Sequence, residues 1–179
     1  MGNNIRVLNK FNRRAEEWLS ALQALSEEEI SRQPAADSWS MGELYDHIMK
    51  VARTYQIPNF KKSLTNESVQ RKRKNKIGFA IFNLGIRKQV KIRMEDFPAP
   101  LVQDFTPTQQ SKEALLNDFK DFIEEVNILH AELSAAPKTA KHYHPMFGDI
   151  HTGEWFSLIE IHMAHHEVQR RRIRKMVID

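Results

Sequence analysis

The chain has 179 residues, enough to bury a core in one domain spanning 1–179, and its 27 basic against 23 acidic residues leave a net charge of only +4. It contains no cysteine, which excludes disulfides, thiolate nucleophiles and Cys-ligated zinc, so any metal site must use His, Asp or Glu. No apolar run has transmembrane length and the start, MGNNIRVLNKFNRRAEEW, has no signal-type core, so a cytoplasmic protein with no membrane partner is expected.

Several segments show helical spacing. A first helix is expected at about 5–24, with Val7, Leu8, Phe11, Ala15, Trp18, Leu19 and Leu22 on its apolar face. Ser26-Glu-Glu-Glu29 reads as a capping box opening a short turn that Pro34 stops. Ser40-Met-Gly-Glu43 is a second capping box, opening a helix at about 41–56 with Leu44, Ile48, Val51 and Tyr55 inward and His47 at the stripe's edge. Pro58 is expected to end that helix or open the next loop. Residues 57–107 read as a long crossover with one short helix around 77–94, and FPAP at 97–100 interrupts it. Pro107 and Thr108 lead into a helix at about 109–134, with Ala114, Leu115, Phe119, Phe122, Ile123, Val126 and Leu129 inward. Residues 135–151 read as a loop, and Thr152 as the N-cap of a last helix at about 153–176. The pattern is all-α: a four-helix bundle with a long crossover between helices 2 and 3.

Two basic clusters, RKRKNK at 71–76 and RRRIRK at 170–175, read as a solvated loop and a solvated helix end. No aromatic interleaving accompanies them, so no nucleic-acid partner is expected.

The chemistry sits in EWFSLIEIHMAHHEVQRRRI. On a helical projection Leu158, Ile159, His162, His166, Gln169 and Ile173 fall within roughly 60° of Trp155. Two imidazoles in the middle of a core-facing stripe need a polar partner, and an i,i+4 pair suits two ligands of one divalent ion. The plain alternative is two hydrogen-bonded core histidines. His47 is the best candidate for a third ligand, and three neutral imidazoles leave open positions for water or substrate. The spacing is not the His-Glu-x-x-His of a zincin, because Arg170 stands where the second histidine would fall. His165 lies at the stripe's edge and Glu43 one turn before His47; both are candidate catalytic helpers. Asp46 beside His47 reads as an exposed helix charge, Glu43 as the reciprocal half of its capping box, and the loop histidines His142, His144 and His151 as solvent-exposed.

The string His144-Pro-Met-Phe-Gly148, Glu154-Trp155 and His162-x-x-x-His166 with Gln169, together with Trp39-Ser-Met-Gly-Glu-Leu-Tyr-Asp-His47, resembles the DinB-like superfamily. The resemblance covers both ends of the chain and leaves 57–107 unmatched. It implies a four-helix bundle with a long crossover, dimerisation, and a divalent metal, nickel or zinc, held by histidines that match His47, His162 and His166. It further implies a thiol S-transferase using a low-molecular-weight thiol, or a hydrolase acting on a small-molecule substrate. The competing expectation is a non-catalytic helical bundle that binds a metal or is purely structural.

Overall fold

Both capping boxes form as read. Ser26 opens helix α2 (Glu27–Ser31) and Ser40 opens α3 (Met41–Val51), each hydroxyl accepting the N3 amide while the N3 glutamate returns to the cap amide. Before them runs α1 (Gly2–Gln23), whose Phe11, Ala15, Trp18 and Leu22 are buried. The computed structural model describes residues 2–65, 73–86, 99–137 and 139–178. The basic residues 71–72, the expected helical stretch 87–94 and residues 97–98 of FPAP lie outside them.

The helix after α3 does not stop at Pro58. A π-helical turn, Ala52–Gln56, leads into α4 (Ile57–Thr65). Proline has no N–H for the carbonyl four residues back, and a ring in a helix interior normally clashes there. The π-turn relieves this: the Ile57 amide reaches back five residues to the Ala52 carbonyl, and Pro58 falls in the first turn of the new helix.

The crossover is more structured than its composition implies. Asn75 caps α5 (Lys76–Phe82), and α6 (Ala99–Phe105) forms with Pro100 in its first turn, where a missing amide is harmless. Helix α7 (Lys112–Leu133) begins later than expected, because the hydroxyl of Ser111, not Thr108, accepts the first free amide. Its Leu115, Phe119, Phe122, Val126 and Leu129 are buried, whereas Ala114, placed inward by the projection, is exposed.

Residues 141–151 are not a loop. Strand β1 (Lys141–His144) pairs antiparallel with β2 (Gly148–His151), with Lys141 opposite His151 and His144 opposite Gly148. The HPMFG segment is the connecting turn. The Met146 amide donates to His144 Nδ1 at 3.1 Å, and Gly148 takes a φ of 74° that a side chain would strain. A Cβ on Gly148 would also meet the Asn75 nitrogen at 2.8 Å. There Lys74 bridges to Gly148, so part of the presumed solvated basic run is pinned to the hairpin. Lys74 Nζ pairs with Glu154 and lies over the Phe82 ring.

Helix α8 (Thr152–Ile178) follows directly. Thr152 is its first residue, not its cap: its hydroxyl donates to the Ser63 carbonyl, and Glu154 takes the His151 amide at 2.8 Å. Helices α1, α3, α7 and α8 pack on one another around a common apolar core. Trp18, Tyr45, Phe119, Phe122, Trp155 and Phe156 fill it, and large apolar side chains of this kind stabilise by about 1.5–3 kcal/mol each. The described residues are all-α apart from the small hairpin, and no described helix is long and apolar enough to cross a membrane.

Candidate metal centre

Helices α3 and α8 bring His47, His162 and His166 together, with one donor atom from each lying within 4.8 Å of the others. The Ser40–Glu43 box fixes where α3 starts, and so the direction in which His47 points one turn later. His162 and His166 share a face of α8, with Nε2 atoms 3.1 Å apart. Two nitrogens at about 2.1 Å from a common ion stand about 3.0–3.4 Å apart at octahedral to tetrahedral angles, so this pair already has ligand spacing.

The ring orientations are held from behind. His47 Nδ1 lies 2.9 Å from the carbonyl oxygen of Phe105, the last residue of α6. A carbonyl only accepts, so Nδ1 carries the proton and Nε2 presents its lone pair. His166 Nδ1 donates likewise to Gln169 Oε1 at 2.8 Å. Burial, the largest effect, pushes the His47 imidazole below its ordinary pKa, against the pull of the Phe105 carbonyl and the Asp46 charge. Burial also takes His166 down to about 3 and His162 well below the usual range, with neighbouring imidazoles adding to it. All three rings are therefore neutral at pH 7, the state a metal requires.

Trp39, just before the α3 cap, closes one side. Its ring centroid is 4.6 Å from that of His47 and 6.4 Å from that of His166, nearly parallel to the latter. His165 is half-buried and edge-on to His166 at 5.0 Å, outside the three-histidine group. Glu43 is held in its cap, its carboxylate accepting the Ser40 amide at 2.8 Å. Asp46 is not the exposed charge its position on the helix implied. At 3 % exposure it accepts the Thr108 amide at 2.6 Å and the Gln110 carboxamide at 2.8 Å, and it pairs with Lys50 at 3.0 Å. It pins the segment after α6 to α3 rather than orienting His47.

The loop histidines stay out of the centre, but His144 is not solvent-exposed. It stacks on Phe147 at 4.3 Å and packs against Trp155 at 5.0 Å, and burial lowers its pKa to about 4. The Phe105 carbonyl escaped the sequence reading because a backbone acceptor leaves no residue-type signal. Gln169 was visible, three residues after His166 on the same stripe.

A family model of the DinB superfamily matches residues 10–169. The chain belongs to the DinB superfamily. This DinB-superfamily chain is also similar to the uncharacterized protein YuaE of Bacillus subtilis (strain 168), 24% identical over 181 residues that cover 93% of this chain and 96% of that protein. No solved structure matches it. The family implies a bound metal, and the donor set fits one: two bare Nε2 atoms of fixed tautomer, and a third ring at ligand spacing. A further sign is His162 Nδ1, which is buried and without a hydrogen-bond partner.

Proposed function

We propose that this DinB-superfamily protein is a metal-dependent enzyme, a thiol S-transferase or a hydrolase, whose divalent ion is held by His47, His162 and His166. The observation that carries the reading is the convergence of three neutral imidazoles from α3 and α8 with their donor atoms within 4.8 Å. Three protein ligands leave coordination positions open, the pattern of catalytic rather than structural sites. A bound divalent ion, nickel or zinc, supplies a Lewis acid that makes a water or a low-molecular-weight thiol nucleophilic near neutral pH. The chain's own residues hold and shield it. Phe105 and Gln169 fix two imidazoles by their Nδ1 protons, and Trp39 keeps bulk water from one side. His165, half-exposed beside His166, is the group best placed to move a proton to or from a small-molecule substrate. Glu43 serves the helix cap instead. A cytoplasmic homodimer completes the reading.

Metal analysis of purified protein against His47→Ala tests the ligand set. Stoichiometric nickel or zinc in the wild type, and its loss in the variant, are expected. A full metal complement in His47→Ala refutes the three-histidine site. Metal-loaded protein is then assayed with thiol acceptors and amide substrates, beside His162→Ala. If the two proteins behave alike in every assay while the metal still raises the melting temperature, the ion only braces α3 against α8 and the enzyme reading fails.

A further inference from the structure

Four large apolar side chains at 77–86, Ile77, Phe79, Leu84 and Ile86, are each 45–60 % exposed. Helix α5 already has apolar partners on its other side. Gly78 is buried against the Phe147 backbone, and the Phe82 ring meets Phe147 edge-on at 5.6 Å. At about 100° per residue, Lys76, Ile77, Phe79 and Ala80 occupy the arc that Gly78, Ile81 and Phe82 leave. Gly85, at φ 65°, then turns the chain, and the Ile86 amide returns to the Ala80 carbonyl at 3.0 Å, which keeps Leu84 and Ile86 beside α5. The helix is thus apolar toward the hairpin and apolar toward solvent, and an exposed apolar cluster of this kind marks a contact surface.

Its charge setting is one-sided. Residues 68–94 contain nine of the 27 basic residues and none of the 23 acidic ones, which leaves the remainder of the chain with 18 basic against 23 acidic. Arg73 and Lys76 are exposed and, among the described residues, pair with no carboxylate. By contrast Ile128, 57 % exposed on α7, stands beside Asp121, Glu124 and Glu132. Basic and bare apolar side chains coincide at α5 and do not at α7.

The face is also built in advance. The Asn75 amide donates to the Phe147 carbonyl at 3.0 Å, and its carboxamide donates to the Met146 carbonyl at 2.8 Å. Lys74 bridges to Gly148 and pairs with Glu154. Helix α5 is therefore fastened to the hairpin and to the first turn of α8, and little ordering is left to be done on binding.

We infer that the outer face of α5, with Ile77, Phe79, Leu84 and Ile86 as its apolar contacts and Arg73 and Lys76 as its basic ones, docks on an anionic phospholipid bilayer. Apolar side chains enter the headgroup boundary while lysine and arginine stay with the phosphates, which is how an interfacial helix divides its work. Lack of a spanning helix bears on crossing a bilayer, not on lying against one. A second copy of the chain fits less well, because a two-fold contact sets the same basic residues against each other. Nucleic acid also fits less well, because three of the four apolar side chains are aliphatic and offer no ring to stack on a base.

The test is co-sedimentation of the full chain with vesicles of pure phosphatidylcholine and of equimolar phosphatidylcholine and phosphatidylglycerol. Wild type should bind the anionic vesicles and not the neutral ones, and should be released as salt rises. Phe79→Ser/Leu84→Ser should bind roughly tenfold or more weakly, since two large side chains no longer enter the interface. Arg73→Gln and Lys76→Gln should each weaken binding roughly fivefold at low salt. Ile128→Ser should bind as wild type does. None of these residues belongs to α3 or α8, and all are exposed, so melting temperature and metal content should stay at wild-type values. If Phe79→Ser/Leu84→Ser does not fold, the single charge variants and the two vesicle types decide. Equal binding of Phe79→Ser/Leu84→Ser and wild type to anionic vesicles, or no binding by wild type, overturns the inference. It is overturned equally by a wild type that prefers duplex DNA to anionic vesicles, or by one that ignores vesicles and forms a dimer that Phe79→Ser/Leu84→Ser dissolves.

Discussion

Replacing Asp46 with alanine tests whether the segment after α6 is part of the metal centre's frame. The carboxylate is 3 % exposed and accepts the Thr108 amide at 2.6 Å, the Thr108 hydroxyl at 3.2 Å and the Gln110 carboxamide at 2.8 Å. Lys50 stands 3.0 Å away. Hydrogen bonds to a charged group are worth about 1.5–3 kcal/mol each, but they are not additive, and removing one side of a buried ion pair typically destabilises by about 3–5 kcal/mol. Lys50 keeps the Thr106 carbonyl and the Thr108 hydroxyl, both at 3.1 Å, which places the expected loss at the lower end, about 3–4 kcal/mol. At about 2–4 °C per kcal/mol for a chain of this size, the melting temperature should fall by roughly 6–16 °C. The same substitution loosens the chain just after Phe105, whose carbonyl orients His47, so zinc affinity should drop roughly tenfold. Denaturant unfolding of metal-free protein and chelator competition measure the two effects. A loss below about 1 kcal/mol with unchanged zinc affinity would show that the centre does not depend on this anchor.

Three further outcomes follow from the packing. In Gly78→Ala the new Cβ would meet the Phe147 carbonyl oxygen at 2.4 Å, so α5 must shift off the hairpin, and a loss of about 1–3 kcal/mol in denaturant unfolding is expected. His144 is kept neutral by burial, with its pKa down at about 4 against an ordinary 6.5. The unfolded chain takes up this proton first, so the stability His144 confers is complete above about 6.5 and is lost as pH falls toward 4, by about 3 kcal/mol. In His144→Gln, acid unfolding curves should be shallower by that amount over this window. Glu167 accepts Trp18 Nε1 at 2.7 Å and holds Arg170 at 2.9 and 3.1 Å while that guanidinium lies over the Trp18 ring. Glu167→Gln leaves a buried cation without its counter-ion and should destabilise by about 3 kcal/mol, where a surface pair would change melting hardly at all.

Local chemistry was readable wherever it depends on neighbours in the chain. The two capping boxes, the apolar stripe of α1 and the His162/His166 pair all follow from spacing along one helix, because the partners lie within a turn of each other. Where a long-range partner decided, the reading went astray. Pro58 signalled an end, but a π-turn absorbed it. Lys74 looked solvated until Glu154 and the hairpin came to meet it, and Asp46 looked exposed until the chain at 106–110 folded over it. The residues of HPMFG were legible as a motif and not as a β-turn, since pairing between β1 and β2 is what makes Gly148 take its left-handed conformation.

By itself, then, the sequence determined the capped starts of α2 and α3, most of the apolar faces and the types of side chain offered to a metal, because these are properties of single segments. Tertiary structure alone decided which groups stand behind the imidazoles. The Phe105 carbonyl, 2.9 Å from His47 Nδ1, has no side-chain signature, and only the packing of α6 on α3 brings it there. A ligand's residue type is local, but its tautomer is set by whatever the fold places against its other nitrogen.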